Sequence, residues 1–528
     1  MGSARFVPTM ELTEGLLAGA VIALAVAGFA RHRGWGIALP VLIVGIAIGL
    51  APFGPQAPSN AGELFLIILA PLVFGEALSA SYRDLRRVGR PILLLAIGLV
   101  LAGSLIVGYV VTLIVPGIPW SVALALGAIL APTDAVSVAA VAKRAGLPHR
   151  VVHILEGESL VNDGTGLTLL RVALVVAAAG SVTATEVALV LGLSVIGGVV
   201  VGTVIGLILV WLIRRSRDPL VANAAILLAP FPGYFIAEAI EGSGILAVVV
   251  AALIAAHGMS TDAGFRGRPA SLAAWQQITF VLQAWAFFLI GLELPQTLMN
   301  IRSDQWSVLP WLVGGVLLTL IVTRFVFVAL MGLVSRDAGI TRGGWVVIGW
   351  AGTRGPVSGL AAFTLPVLLE SGSALPDRNL LLATTLCVIV ITLLLSPTLA
   401  VLSRRLHLTE DDTADEQRRL RRALITSALE RLDDLSEDAA ETGEELPDRV
   451  VEELRSAYES RLRGLSEHAT PEMADSGHRL RLLAELIHAQ QEELIRWRDT
   501  RQISDATMRT VQHELDLQLA TIKRSGNL

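Results

Sequence analysis

Three carboxylates stand where carboxylates are costly. Asp134, Glu158 and Asp163 lie in APTDAVSVAAVAK (Ala131–Lys143) and GESLVNDGTG (Gly157–Gly166), inside runs apolar enough to cross a bilayer. A charge at membrane depth marks an ion path or proton relay when it faces protein or water. Ser159 and Asp163 are spaced i, i+4 and share one helix face, which can offer a hydroxyl and a carboxylate to a hard cation. Glu158 and Asn162 share the adjacent face, suited to a buried cation such as Arg354. Pro132 lacks a backbone donor, so a helix through it should break just before Asp134, freeing carbonyls beside the Thr133 hydroxyl. The half-helix after that break should turn its positive dipole end towards Asp134. Such a site holds a small monovalent cation or a proton, not both. Competition for Asp163, with the loaded site open alternately to each side, is antiport.

The rest of the chain must hold these acids in a membrane. Of 528 residues 53% are hydrophobic and 16% charged, where a soluble domain has about a quarter charged. Residues 403–528 carry 27 acids and 19 bases, 46 of the chain's 87 charges, so a membrane domain (1–402) precedes a charged cytoplasmic tail (403–528). Cys387 is the only cysteine, which excludes an intrachain disulfide. Glu11 and Glu14 precede the first apolar run and Arg31, His32 and Arg33 follow it, unlike a cleavable leader.

Apolar spans of about 20 residues fall near 12–30, 36–52, 62–80, 91–115, 120–142, 151–180, 185–213, 218–240, 243–257, 270–294, 307–334, 343–369 and 379–402, thirteen in all. Alternate loops gather the bases, among them Arg83, Arg86, Arg87, Lys143, Arg144, Arg214, Arg215, Arg266, Arg268 and Arg336. Bases accumulate inside, so the N-terminus is expected outside and the tail in the cytoplasm. Spans 1–6 and 8–13 then form two inverted six-helix repeats joined by span 7, a device of secondary transporters. Span 5, broken at Pro132, pairs with span 12, where Gly352, Gly355 and Pro356 interrupt an apolar run around Arg354. Two broken helices at matched positions point to a midplane site. Glu76, five residues after Pro71, either reaches that site or ends its helix. Arg171 and Arg324 read as bundle-packing residues, Glu156, Glu238 and Glu293 as interfacial, and His149 and His153 as loop histidines.

The tail reads as helical. Val450, Leu454, Tyr458 and Leu462 form an apolar stripe, and Thr470-Pro471 is a helix start. It carries no nucleotide- or metal-binding pattern, and a regulator is its expected partner.

With these residues in view, the chain resembles the monovalent cation:proton antiporter-1 family, which includes NhaP-type sodium/proton antiporters and sodium/hydrogen exchangers. The resemblance rests on PTDAVSV (Pro132–Val138), EGESLVNDGTGL (Glu156–Leu167), FFLIGLEL (Phe287–Leu294) and GWAGTRGPVS (Gly349–Ser358), and covers the thirteen spans. It implies an all-α fold with a mobile core, two crossed discontinuous helices, a dimerisation domain and elevator-like transport. Asp163 then corresponds to the essential carboxylate, Asp134 to the acid of the crossed helices, and Thr133 and Ser159 to side-chain ligands. Arg354 corresponds to the arginine that pairs with Glu158 and Asn162, and the Asn162-Asp163 pair to electroneutral members. One departure stands out: glutamate usually follows phenylalanine directly in span 3, and here the order is Phe74-Gly75-Glu76.

The resulting expectation is a homodimeric plasma-membrane antiporter exchanging Na⁺, Li⁺ or K⁺ for H⁺ in pH homeostasis, embedded in lipid, with no cofactor and no nucleic-acid partner. A K⁺/H⁺ antiporter has the same ligands. An intramembrane aspartyl protease would use Asp134 and Asp163 as its dyad, but the GxGD signature is absent. A cation channel would pass ions without a counter-gradient.

Overall fold

A computed structural model of the chain describes residues 12–51, 61–80, 89–134, 147–180, 183–216, 218–261, 268–334, 340–369, 372–406, 408, 413–442, 447–464, 490 and 515. The second half of the expected span 5, the basic loops at 81–88, 262–267 and 335–339, and the Thr470-Pro471 helix start lie outside these residues. The chain divides into two compact units, 1–411 and 412–528.

The first unit is a helical bundle, and the described residues hold no β-strand beyond the isolated bridge between Leu368 and Ala374. In order come α1 (Leu12–His32), α2 (Ala38–Gly49), α3 (Ala61–Ser79), α4 (Gly89–Ile114), α5 (Trp120–Leu130), α6 (His149–Ala179) and α7 (Ala184–Arg215). There follow α8 (Pro219–Leu228), α9 (Pro230–Ala239), α10 (Gly244–Thr261), α11 (Arg268–Met299) and α12 (Leu309–Val334). The unit closes with α13 (Arg342–Trp350), α14 (Pro356–Phe363), α15 (Arg378–Leu395) and α16 (Thr398–Arg405). Six of these, α4, α6, α7, α11, α12 and α15, are each long and apolar enough to cross a membrane.

Local chemistry explains several boundaries. Thr183 and Glu186 form a reciprocal capping box at the start of α7. Asp218 caps α8 with Pro219 at its first position, and Thr341 accepts from the Gly344 N–H to start α13. Two spans read as continuous are divided. Residues 218–240 bend by 41° between α8 and α9 beside Pro230, and 379–402 splits into α15 and α16 around Pro397, since proline removes a helix hydrogen bond. The compact unit also extends beyond residue 402, because α16 turns Leu399 and Ser403 inward while its arginines stay outside.

The elements that carry the site pack on one another. α5 lies against α4 and α6, α14 against α3, α5, α11 and α15, and α11 against α2 and α3. Their shared core is apolar, with Phe74, Leu126, Phe287, Phe288, Ile290, Leu360 and Leu386 fully buried.

In the second unit α17 (Thr413–Thr442) packs on α18 (Asp448–Gly464), and Arg455 Nη2 lies 2.5 Å from Asp433 Oδ1. Val451, Arg455 and Tyr458 are half-buried. Val450 and Leu454 of the expected stripe are exposed instead.

Candidate functional site

A helix stops at each expected interruption. α5 stops at Leu130, and Ala131–Asp134 continue without helical form. α13 stops at Trp350, and Ala351–Gly355 are irregular until Pro356 starts α14. In an apolar bundle the backbone groups freed at such breaks need partners, and here each break supplies the other. The Asp134 N–H donates to the Thr353 carbonyl at 2.9 Å, and the Thr353 hydroxyl donates to the Asp134 carbonyl at 3.3 Å. Arg354 Nε donates to the Leu130 carbonyl at 2.8 Å, and its Nη1 donates to the Gly352 carbonyl. The Arg354 backbone N–H is taken by the Thr392 hydroxyl at 3.2 Å.

Charge follows the helix ends. The Arg354 guanidinium meets the C-terminal, negative end of α5, and the Asp134 carboxyl rests against Gly355, the residue that caps the N-terminal, positive end of α14. The dipole end expected beside Asp134 is thus supplied by the opposite broken helix; residues 135–146 of its own span lie outside the description. A Cβ on Gly355 would overlap the Asp134 side chain, so the crossing closes only with glycine there.

α6 brings the remaining groups. Glu158, Ser159, Asn162 and Asp163 are all buried on it. Glu158 is clamped bidentately by Arg324 of α12, Nη1 to Oε1 at 2.5 Å and Nη2 to Oε2 at 2.9 Å, while Arg324 Nε donates to the Ile348 carbonyl at 3.0 Å. The Thr133 hydroxyl donates to Glu158 Oε1 at 2.9 Å, and Asn162 Nδ2 donates to the Thr133 carbonyl and hydroxyl oxygens, both at 3.2 Å.

The network gives Arg354 and Thr133 hydrogen-bond partners other than those expected. Arg354 was expected to pair with Glu158 and Asn162; Glu158 instead pairs with Arg324, and Asn162 bonds to Thr133. The reason is reach: the Arg354 side chain is occupied by two carbonyls of the broken backbones, while Arg324 projects from a continuous helix straight at Glu158. Thr133, expected to offer its side chain to a cation, donates its hydroxyl to Glu158 and accepts from Asn162 and Arg324.

Asp163 is treated differently. Among the described residues no basic side chain forms an ion pair with it, although Glu76 and Asp134 lie within electrostatic reach of its carboxyl. Glu76 also acts on Asp134 across space and accepts a hydrogen bond from Gln283 Nε2 at 3.3 Å. Three acids from α3, α6 and the first break thus converge, with Ser159 one helical turn from Asp163.

Arg324 and Gln283 were not singled out for the site from the sequence. Arg324 could have been found, since an arginine inside an apolar run needs a buried acid; Gln283 left no signal. Arg171 does more than fill space: it pairs with Glu238 at 3.2 Å and donates to the Gly242 carbonyl at 2.6 Å. The pair borders a cavity of about 420 Å³ lined also by Leu69, Leu167, Tyr234 and Thr364.

Interrupted helices that satisfy each other's backbone, around acids buried in an apolar bundle, define a secondary transporter rather than an enzyme. The chain belongs to the family described as "Sodium/hydrogen exchanger, transmembrane", which matches residues 16–401. It is 31% identical over 525 residues to an uncharacterized Na⁺/H⁺ exchanger of Mycobacterium tuberculosis (strain ATCC 25618 / H37Rv), covering 94% of each chain. It is 29% identical over 502 residues to the sodium, potassium, lithium and rubidium/H⁺ antiporter of Bacillus subtilis (strain 168), covering 90% of this chain and 74% of that one. Its fold is similar to that of the sodium proton antiporter MjNhaP1 from Methanocaldococcus jannaschii at pH 8, with a TM-score of 0.59 and 21% identity over 74% of this chain and 99% of the other.

Proposed function

We propose that the protein exchanges Na⁺ for H⁺ across the plasma membrane, with Li⁺ and K⁺ as further substrates, by competition of cation and proton for Asp163. One observation carries this reading. Of the two acids buried on the same stretch of α6, Glu158 is neutralised by Arg324, and Asp163 has no ion-pair partner among the described residues. A buried carboxylate without a counter-charge must take up a cation or a proton, and the two exclude each other. Ser159, Asp134 and Glu76 complete an oxygen-rich surround. The wide ion range in the name of the Bacillus subtilis relative supports K⁺ as a co-substrate.

The Asn162-Asp163 pair, which resembles the form in electroneutral members of the family, supports an exchange of one cation for one proton with no net charge movement. On this reading the shorter helices α1, α2, α3 and α10, the bent α8–α9 pair and spans 5 and 12 also cross, for thirteen crossings, and the charge of the loops supports an N-terminus outside and a cytoplasmic tail. The exposed apolar face of α7, with Leu189, Ile196 and Trp211, suits lipid and a second copy of the chain. The charged α17–α18 pair suits a regulatory role.

The test uses the purified protein in liposomes with an imposed pH gradient, a fluorescent pH probe and a clamped membrane potential. Na⁺, K⁺ and Li⁺ are added in turn. Dissipation by Na⁺ that ignores voltage is the expected result. A response to K⁺ alone would make the protein a K⁺/H⁺ antiporter, and flux without a counter-gradient would make it a channel.

A further inference from the structure

Gln283 lies outside every motif that drew attention to the site. It is a neutral amide in the middle of α11, only 6% exposed, and its Nε2 donates to Glu76 Oε1 on α3 at 3.3 Å. Trp275, Thr279 and Gln283 follow one another at i, i+4 and i+8, so they share the α11 face that packs on α3. The two helices close tightly there. The Trp275 ring lies 5.0 Å from that of Phe74, and a Cβ on Gly75 would fall on the Thr279 hydroxyl and the Trp275 ring. Glycine between Phe74 and Glu76 therefore lets α3 settle onto α11, which brings the next residue, Glu76, to the amide.

The chemistry of the pair is asymmetric. A primary amide carries both donors and an acceptor, so it can donate to the ionised carboxylate or, turned over, accept from the protonated acid. It fixes the direction of the carboxyl without adding a charge to a cluster that already holds Asp134 and Asp163. An arginine or lysine there would neutralise Glu76, as Arg324 neutralises Glu158, and would remove it from ion exchange.

We propose that Gln283 is a positioning residue for transport: it holds the Glu76 carboxyl towards Asp163 and Asp134, making Glu76 part of the cation site and setting the site's apparent affinity and ion preference. This rests on the exchange reading above. Gln283 acts only through Glu76, so the two must be energetically coupled.

The experiment is a double-mutant cycle in proteoliposomes with Gln283→Met, Glu76→Gln and the pair, measuring half-saturating Na⁺ and Li⁺ against maximal rate. Gln283→Met should raise half-saturating Na⁺ about tenfold, the scale of one lost hydrogen bond to a charged group, with a smaller change in maximal rate. In the Glu76→Gln background the same substitution should change it less than twofold. Gln283→Asn, shorter but still an amide, should fall between wild type and Gln283→Met and shift the Na⁺/Li⁺ ratio. It carries the same cycle if the methionine variant fails to fold. Equal effects in both backgrounds, or no change in half-saturation, would overturn the proposal. A wild-type protein that exchanges no cation would instead remove the exchange reading itself.

Discussion

Glu158 and Asp163 stand five residues apart on α6, 1% and 5% exposed, in the same apolar bundle. Burial alone does not tell them apart. Glu158 meets a bidentate guanidinium, a threonine hydroxyl and, through Thr133, an asparagine amide. Asp163 meets two other acids and no base among the described residues. The first arrangement is closed and fixes the position of α6 against α12 and the first break. The second has no counter-charge among the described residues, and in the proposed exchange that charge comes from solution. On the proposed function, structure and transport divide between neighbouring carboxylates according to the counter-ion each receives.

The largest effect expected from this contrast is on exchange. Asp163→Asn should lower cation/proton exchange in proteoliposomes by at least about a hundredfold, the scale of losing the one essential ligand, with an unchanged melting temperature. An active Asp163→Asn variant would erase the distinction between the two acids.

Breaking the closed side should damage stability instead. Arg324→Leu leaves a buried, uncompensated Glu158 and should cost about 3–5 kcal/mol in thermal or denaturant unfolding in detergent. Replacing both partners, Glu158→Met with Arg324→Leu, should recover most of that loss, since a well-packed apolar pair is often as stable as a buried ion pair. If the double variant were less stable than Arg324→Leu alone, the pair would not be the main source of the penalty.

Arg354→Ala should be milder. It leaves the Leu130 and Gly352 carbonyls without their donor at the two breaks, worth about 1–3 kcal/mol. Stability equal to wild type would mean that water or another donor replaces the guanidinium.

The smallest change probes the crossing. Gly355→Ala puts a methyl group into the space of the Asp134 carboxyl and should lower exchange about tenfold, from displaced geometry rather than lost chemistry. Wild-type half-saturation and rate in this variant would show that Asp134 can move away freely.

Much of the architecture was legible because it is written in local rules. Pro132, Gly352, Gly355 and Pro356 announced both interruptions, and the described helices begin and end near the turns of hydropathy. Spans 218–240 and 379–402 were read as continuous although Pro230 and Pro397 stand at their breaks. Pairing across the bundle was not legible. Two arginines, Arg324 and Arg354, were each able to neutralise Glu158 by type, and the choice depends on which helix crosses where. Thr133 lies one residue before Asp134, yet its hydroxyl turns to the closed network. Gln283 reaches Glu76 across 207 positions of chain, and an uncharged amide in an apolar helix carries no mark of that contact.

The competition of cation and proton for Asp163 is tested most directly by the pH dependence of cation affinity. Half-saturating Na⁺ would be measured for wild-type protein in proteoliposomes across a series of pH values at constant membrane potential. Competition for one carboxylate predicts a rise approaching tenfold per pH unit on the acid side, with maximal rate restored at high Na⁺. Half-saturation that does not change with pH would mean that cation and proton bind separate groups, and would contradict the account.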